Sequence, residues 1–237
     1  MTLFKGDDQD LKRLVRKAIS VAHELGSRRV GSEHLFIALA SGGGQVAKAV
    51  EHCGTGVGEL TRSAASAAPL GAGAAADREA LLSIGVDLDE LLRGSGPGSL
   101  DRAPIRAPWF PLGSAKARAR CAALIPPVGI DAQAIYETSL RIALCRGENS
   151  HRPHHLAFAL VAMDPGVDWL LDEVGADKVR LLADLRERFP VPPRNRFTRT
   201  WRRLRNKSRS SDVVRRYQAT TGRVPVGTRS LLTDITT

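Results

Sequence analysis

The chain has 237 residues, of which 43% are hydrophobic and 25% charged, and its formal net charge at pH 7 is +10. This composition is typical of a globular protein with a sizeable core. No run of about 18 uncharged apolar residues occurs and acidic residues follow soon after the start, so we expect a cytoplasmic protein with neither a membrane span nor a secretory signal.

The first part of the chain predicts four short helices. Asp8 or Asp10 caps a helix whose apolar residues follow the 3.6-residue period, and Gly26 ends it. Ser32 is the predicted N-cap of a second, largely apolar helix. The stretch "GQVAKAVEHCG" gives a third helix, and Thr55 opens a fourth.

A connection rich in Ala, Gly and Pro follows. The stretch "ADREALLSIGVDLDELLRG" has helical spacing with a glycine break and predicts a segment that packs on the body. The next stretch, "GSGPGSLDRAPIRAPWFPLG", has four glycines and four prolines and predicts an irregular loop. Two interpretations stay open for Trp109 and Phe110 in this loop, which either dock a partner or pin the loop to the core.

The next part predicts four more helices, over 131–146, 153–163, 167–174 and 177–189, with a proline at the start of the second. A shift of 121 residues aligns this part with the first helical part without a gap. The residues that are identical after the shift are Ala22, Gly26, His34, Leu35, Ala38, Leu39, Val46, Gly54 and Leu60. Most of these residues are apolar residues at core-type positions or glycines. Two copies of one packing unit are expected to retain such residues.

The fold class that we predict is therefore all-α, with two pseudo-symmetric four-helix repeats. The repeats cover residues 1–66 and 130–189, the partly helical connection covers 67–129, and a basic tail delimited by prolines covers 190–237.

The excess of positive charge lies entirely in the tail. Residues 1–189 contain 23 Lys or Arg and 23 Asp or Glu, whereas residues 190–237 contain 12 and 2, which accounts for the net charge of +10. An electroneutral body with a basic extension differs from a uniformly basic nucleic-acid binder, whose folded surface itself forms the patch. The prolines at the start of the tail predict an extended linker that separates the tail from the body.

Aromatic and apolar residues alternate with arginines in the tail. Phe197, Trp201 and Leu204 fall at i, i+4 and i+7, the spacing of one helix face. Such a segment is suited to binding nucleic-acid phosphates, an anionic membrane surface or an acidic partner, and a solvated extension without a ligand is the alternative. The candidate anion-binding residues are Arg199, Trp201, Arg202, Arg203 and Arg205.

The stretch "VRKAISVAHELGSRRVGSEHLFIALASG" resembles the first repeat of the Clp N-terminal (Clp R) domain, the two-repeat helical module that precedes the ATPase rings of bacterial Clp unfoldases. The family signature stands here as "GSEHL" at residues 31–35, and Phe4 falls where the family has an aromatic residue. The resemblance is good over 4–66 and weaker over 130–189. It implies a module that docks substrates, adaptors or tagged proteins, and it implies no active site.

The resemblance also gives the candidate peptide-binding residues, Phe4, Glu33 and His154. In related members a Glu in each copy holds the guanidinium of a phosphorylated arginine, but here His154 stands opposite Glu33, which implies weak recognition of phosphoarginine at most. The alternative for Glu33 is a carboxylate favoured by the helix dipole in the first turn. We expect His34 and His155 to be packed and hydrogen-bonded.

The sequence lacks the enzyme motifs that we considered. It has no G-x-x-x-x-G-K-[ST] loop, no G-x-S-x-G elbow and no H-E-x-x-H helix, so we exclude an unfoldase motor and predict a protein that is not an enzyme and needs no cofactor. His151, His154 and His155 form an HxxHH cluster without cysteine or carboxylate partners at metal spacing, so we predict no metal site. The three widely spaced cysteines are predicted to be reduced and structural.

Two classes of function remain. The first is a non-enzymatic protein or peptide binder, acting as adaptor, decoy or regulator of Clp-dependent proteolysis, with a Clp ATPase or its substrates as partners. Within this class, a binder that sequesters peptides or peptide-like antibiotics directed at the Clp N-terminal domain stays open as well. The second is a regulatory protein that associates with nucleic acid or a membrane surface through the tail.

Overall fold

The computed structural model describes residues 4–95, 121–192 and 210–223, and over these ranges the protein is all-helical, as the sequence predicts. The helices are α1 (Gln9–Glu24), α2 (Ser32–Ala40), α3 (Gln45–His52), α4 (Val57–Ser66), α5 (Ala72–Leu82), α6 (Leu88–Ser95), α7 (Ile130–Arg146), α8 (Pro153–Met163), α9 (Pro165–Glu173), α10 (Lys178–Arg188) and α11 (Ser210–Thr221). None of the helices in these ranges has the length and apolar character needed to cross a membrane.

Helices α2 and α8 form the centre of the protein. All of α2 is buried, and α8 is buried after its first residue, because their sequences "SEHLFIALA" and "PHHLAFALVAM" are apolar on nearly every side. The two helices contact each other, α1 packs on α2, and α7 packs on α8. Helix α10 contacts both α3 and α8. One continuous core therefore joins the first helical part to the second.

The predicted helix boundaries agree with the structure to within two residues in the second part of the chain. In the first part, Asp8 is the cap of α1, and its carboxylate accepts from the backbone N of Leu11 at 3.0 Å. The predicted caps Ser32 and Thr55 are wrong, because α2 and α4 are preceded by glycine caps. The Ser32 hydroxyl instead donates to Asp164 Oδ1 at 2.6 Å, across 132 residues of sequence.

The connection contains two helices, α5 and α6, separated by a break at Gly85, which has a φ of +79°. Helix α5 packs tightly on α9. A Cβ on Gly166 would lie 2.7 Å from the backbone N of Gly73, so only glycine permits this approach. Trp109 and Phe110 lie outside the described residues.

The tail differs from the prediction over residues 210–223. These residues are not separate from the body, because α11 packs on α7 and buries Val213 and Tyr217. The two side chains are four residues apart and form the apolar stripe of an amphipathic helix. The candidate tail residues Arg199, Trp201, Arg202, Arg203 and Arg205 lie outside the described part of the chain.

Candidate functional site

A groove of about 670 Å³ lies where the first and second helical parts meet. Its apolar lining residues are Leu14, Ala38, Leu39, Val46 and Phe189, and its charged lining residues are Asp8, Asp10, Arg13, Lys17 and Arg152. The remaining side is formed by the loop between α2 and α3 and by the start of α8. The volume suits a few side chains of a peptide.

Charges of both signs surround the groove. Arg13 pairs with Asp10 at 3.1 Å on the exposed side of α1, and Lys17 Nζ donates to the Ser41 carbonyl at 2.7 Å. The Ser41 hydroxyl donates to the carbonyl of Ile37 at 2.8 Å, so it is engaged with the helix backbone. An apolar floor with a mixed ionic rim can bind a peptide through shape and weak charge contacts.

His154 joins the groove to a buried ionic cluster, which consists of Arg146, Glu148, His154 and His155. The His154 ring stacks on Phe189, with centroids 4.5 Å apart. Arg146 Nε donates to Glu148 Oε1 at 2.9 Å. Burial opposes ionisation of Glu148, but hydrogen bonds from the two imidazoles and Arg146 hold the pKa of this carboxyl well below its usual range.

The ionic cluster contains a group of possible metal ligands that the sequence analysis missed. Ligand atoms of Glu148, His154 and His155 lie within 4.8 Å of one another. However, His155 Nδ1 accepts from the backbone N–H of Arg152 at 3.0 Å, so its proton lies on Nε2, which faces Glu148 Oε1 at 3.1 Å. A metal ion bound at Nε2 would displace the proton from this nitrogen. The proton would then have to lie on Nδ1, which could no longer accept the hydrogen bond that caps α8. Since Arg146 already balances Glu148, the residues fit an ionic cluster better than a metal centre.

His34 caps α2 in the first helical part in the same way as His155 caps α8. Its Nδ1 accepts from the backbone N–H of Gly31 at 2.9 Å, and its Nε2 lies 2.9 Å from the Ser27 hydroxyl. His34 and His155 are both buried, so the prediction that they are packed and hydrogen-bonded is confirmed. Each histidine replaces the Glu or Gln that ordinarily completes a capping box.

The buried cap at His155 predicts a pH effect on stability. Burial lowers the pKa of His155 from 6.5 to about 4, so the unfolded chain binds more protons than the folded one between these values. Glutamine at this position keeps a capping acceptor but does not titrate. We therefore expect the stability advantage of the wild type over His155→Gln to shrink by about 1.4 kcal/mol per pH unit as the pH falls from 6.5 to 4.

Urea unfolding at several pH values measures this advantage. Taking the difference between variant and wild type removes the contributions of the titrating groups that do not interact with residue 155. Glu148 does interact with His155, but in the unfolded chain it titrates at about pH 4.3, at the low end of this range. The exposed His23→Gln variant is the matched control. An advantage of the wild type that is independent of pH would contradict the assignment.

Three residues form a hydrogen-bonded chain in the order of a hydrolase triad. Ser139 Oγ lies 2.8 Å from His151 Nε2, and His151 Nδ1 lies 2.9 Å from Asp7 Oδ1. Because the Asp7 carboxylate only accepts, Nδ1 carries a proton, and the one hydroxyl hydrogen of Ser139 has two acceptors within reach, Nε2 and the Tyr136 carbonyl. Ser139 and His151 are both 0% exposed, and the hydroxyl also lies 2.8 Å from the Tyr136 carbonyl. No substrate reaches this serine in the described arrangement, so the chain of hydrogen bonds ties the N-terminal segment to α7.

The structure does not bring the three candidate peptide-binding residues together. His154 lines the groove, whereas Phe4 and Glu33 are not among its lining residues. Phe4 is 36% exposed and adjoins Lys5, whose N–H donates to the Asn149 carbonyl at 2.7 Å. Glu33 is only 2% exposed, so a peptide in the groove does not touch it.

Glu33 belongs instead to an interior acidic cluster with Asp131 and Asp164. Asp164 Oδ2 accepts from the Tyr217 hydroxyl at 3.0 Å, and its Oδ1 accepts from Ser32. Burial and the charge of Glu33 raise the pKa of Asp131, and burial together with the charge of Asp131 raises the pKa of Asp164 to about 6. The carboxylates therefore repel one another in a desolvated interior.

Two guanidinium groups face this acidic cluster. Arg223 follows α11 and forms a two-pronged pair with Asp77 of α5, with Nε 3.0 Å from both carboxylate oxygens and Nη2 2.6 Å from Oδ2. Burial lowers the pKa of Arg223, but the hydrogen bonds to Asp77 and the charges of Asp77, Asp131 and Asp164 raise it above its usual range. Arg29 is the second cation.

No protein-family model matches the sequence, and comparison with curated proteins finds no significant similarity.

Proposed function

We propose that this protein is a non-enzymatic peptide-binding module of the Clp N-terminal type, acting in the cytoplasm as adaptor, decoy or regulator of Clp-dependent proteolysis. The proposal includes two four-helix repeats, at 1–66 and 130–189. Helix positions support it, because α1 and α7 begin 121 residues apart, as do α2 and α8, and also α4 and α10. Helices α3 and α9 begin 120 residues apart.

The groove is the observation that carries the binding role. It draws its walls from α1, α2 and α3 on one side and from α8 and Phe189 on the other, so it lies between the two proposed repeats. Burial of an apolar side chain of the ligand on the apolar floor stabilises the complex, and the basic side chains Arg13, Lys17 and Arg152 of the rim can pair with acidic residues of the bound segment. A groove with these properties suits segments of unfolded proteins, which expose apolar side chains among charges.

Charge reversal on the groove side of α1 tests this role. Arg13 and Lys17 line the groove, whereas Lys12 and Arg16 lie on the same helix, are exposed and do not line it. We expect Arg13→Glu with Lys17→Glu to weaken binding of fluorescent unfolded casein and of a purified Clp ATPase ring by about tenfold or more, equivalent to about 1.4 kcal/mol.

The matched control is Lys12→Glu with Arg16→Glu, which makes the same change of charge and should leave both affinities within about twofold. All four side chains are exposed, so each variant should unfold within about 1 kcal/mol of the wild type. Equal binding by the two double variants, or no binding of either probe by the wild type, would count against the groove.

The charge of the tail favours the second function, association with nucleic acid or an anionic membrane surface. Deleting residues 190–237 is unsuitable as a test because it also removes Tyr217, which is part of the core. Charge reversal at Arg202, Arg203 and Arg205 leaves α11 in place. We expect this triple variant to lose binding to a short single-stranded DNA, and wild-type affinity to fall steeply between about 50 and 200 mM salt.

The control for this experiment reverses three exposed charges of the body, at Lys12, Arg16 and Lys48. Equal loss of DNA binding in both triple variants would assign the effect to net charge rather than to the tail. Repeating the binding measurement with vesicles of anionic lipid in place of DNA shows whether the tail prefers a membrane surface or nucleic acid.

A further inference from the structure

The apolar floor of the groove leaves little surface for a ligand to cover. Four of its five residues are buried, and Leu14, Leu39 and Val46 keep only 8%, 2% and 6% of their surface exposed. Phe189 is the one floor residue that is partly exposed. Because an apolar contact stabilises a complex in proportion to the area that it removes from water, the floor selects weakly among ligands. The charged rim must therefore supply most of the selectivity.

Three charged groups of the rim have partners within α1. Arg13 pairs with Asp10 at 3.1 Å. Asp8 caps the helix, and its Oδ1 accepts from the backbone N–H of Leu11 at 3.0 Å. The helix dipole further stabilises a carboxylate in this position. The charges of Asp8, Asp10 and Arg13 are therefore largely compensated inside the protein.

Lys17 and Arg152, in contrast, have no carboxylate partner among the described residues. Lys17 Nζ donates to the carbonyl of Ser41 at 2.7 Å. Arg152 Nε donates to the Ser150 hydroxyl at 3.1 Å. A neutral acceptor positions a cation without neutralising its charge, and the ammonium and the guanidinium both keep further N–H donors. Both side chains are exposed and line the groove, so the described part of the rim carries two uncompensated cations.

The two cations come from different helical parts of the protein. Lys17 lies on α1, and Arg152 directly precedes α8. Helix α1 contacts α8 as well as α2, so the cations flank one groove. The His154 ring stacks on Phe189, with centroids 4.5 Å apart, which places the partly exposed ring of the floor beside the start of α8. A bound segment therefore meets a cation from each helical part and one aromatic surface.

We propose that the groove selects segments of unfolded protein in which an aspartate or glutamate adjoins an apolar side chain, with the carboxylate held by Lys17 and Arg152 and the apolar side chain packed on Phe189. Hydrogen bonds between a cation and a carboxylate are stronger than those between neutral groups, so an acidic segment gains more from these donors than an amide does. This inference rests on the proposed peptide-binding role of the groove and adds the class of segment that is bound.

Three octapeptides that differ at one position test the selection. Each has the sequence SGLFXLGS with acetylated and amidated ends, and X is aspartate, asparagine or lysine. We expect the full-length protein to bind the aspartate peptide about tenfold or more tightly than the lysine peptide, with the asparagine peptide between them. Isothermal titration calorimetry at about 50 mM salt measures the affinities, because higher salt screens exposed charges.

Charge exchange on the protein should reverse this order. The variant Lys17→Glu with Arg152→Glu is expected to bind the lysine peptide more tightly than the aspartate peptide, a gain that a folding defect does not produce. Lys17→Gln with Arg152→Gln should bring the aspartate and asparagine peptides within about twofold of each other. The matched control is Lys12→Glu with Arg16→Glu, which changes the net charge equally outside the groove and should keep the order of the wild type.

The outcomes separate this inference from the proposed function. Equal binding of the three peptides by the wild type, or the same order of affinities in both glutamate variants, overturns the inference while the groove remains a peptide site. If none of the peptides binds, the inference is overturned as well, and the assays with casein and the Clp ATPase ring decide the proposed function separately.

Discussion

Replacing Asp164 with alanine should lower the free energy of unfolding by about 3 to 5 kcal/mol, because the substitution leaves several buried donors without an acceptor. The carboxylate is 1% exposed and accepts from the Ser32 hydroxyl, the Tyr217 hydroxyl and the backbone N–H of Val167. It also caps α9. Loss of a cap alone costs about 1 kcal/mol, and each of the two buried hydroxyls left unsatisfied costs a further 1 to 3 kcal/mol. Relief of the repulsion between the Asp164 and Asp131 carboxylates offsets part of this sum.

Asp177 is the matched control because it caps α10 from an exposed position, accepting only from backbone N–H groups. Asp177→Ala should cost about 1 kcal/mol, the value of a cap without buried partners. Asp164→Asn keeps the acceptor for Ser32 and should cost less than Asp164→Ala. Urea unfolding measures all three variants at pH 7, and a similar loss for Asp164→Ala and Asp177→Ala would show that the interior hydrogen bonds contribute little.

Replacing Arg146 with methionine should lower the free energy of unfolding by a comparable amount, about 3 to 5 kcal/mol, because it leaves the Glu148 carboxylate buried without its cation. Arg146 also donates to the carbonyls of Phe189 and Pro190, at 2.7 and 3.1 Å, at the point where α10 ends. Methionine fills most of the space of the arginine stem. The loss therefore reports on charge and hydrogen bonding more than on packing.

The double variant Arg146→Met with Glu148→Gln isolates the charge effect. Neutralising the carboxylate should recover a substantial part of the loss, because no uncompensated charge then remains. Arg141→Met is the control, since Arg141 pairs with Glu137 on the partly exposed side of the same helix and should cost less than about 1 kcal/mol. A double variant as unstable as Arg146→Met alone would mean that the lost backbone hydrogen bonds dominate.

The all-α class and most helix boundaries could be predicted from the sequence because their signals are local. Pro153 at a helix start and Asp8 at a cap act within one turn of backbone, and apolar periodicity acts within three or four turns. The predicted cap at Ser32 failed because a distant carboxylate competes for its hydroxyl. A neighbouring glycine and the imidazole of His34 perform the capping instead.

The site could be predicted only in part, because its contacts join residues far apart in sequence. Asp7 and His151 are 144 residues apart, and Arg223 and Asp77 are 146 apart. No local pattern indicates such pairs. No local pattern indicates that Glu33 is buried, because a glutamate in the first turn of a helix is ordinarily exposed to solvent. Weak local signals did exist: Val213 and Tyr217 are spaced for one helix face, and Glu148 precedes the HxxHH cluster by three residues.

The position of Arg223 in the chain has a consequence for the order of events during synthesis. The carboxylates of Glu33, Asp131 and Asp164 are all translated before it, and 92 residues separate Asp131 from Arg223. At about 5 to 20 residues per second, a ribosome needs about 5 to 20 seconds to cover that interval. During this time the nascent chain holds these acidic groups with Arg29, which acts on Glu33 and Asp131, but without Arg223. We therefore expect the interior around α5 and α9 to close only after α11 has emerged.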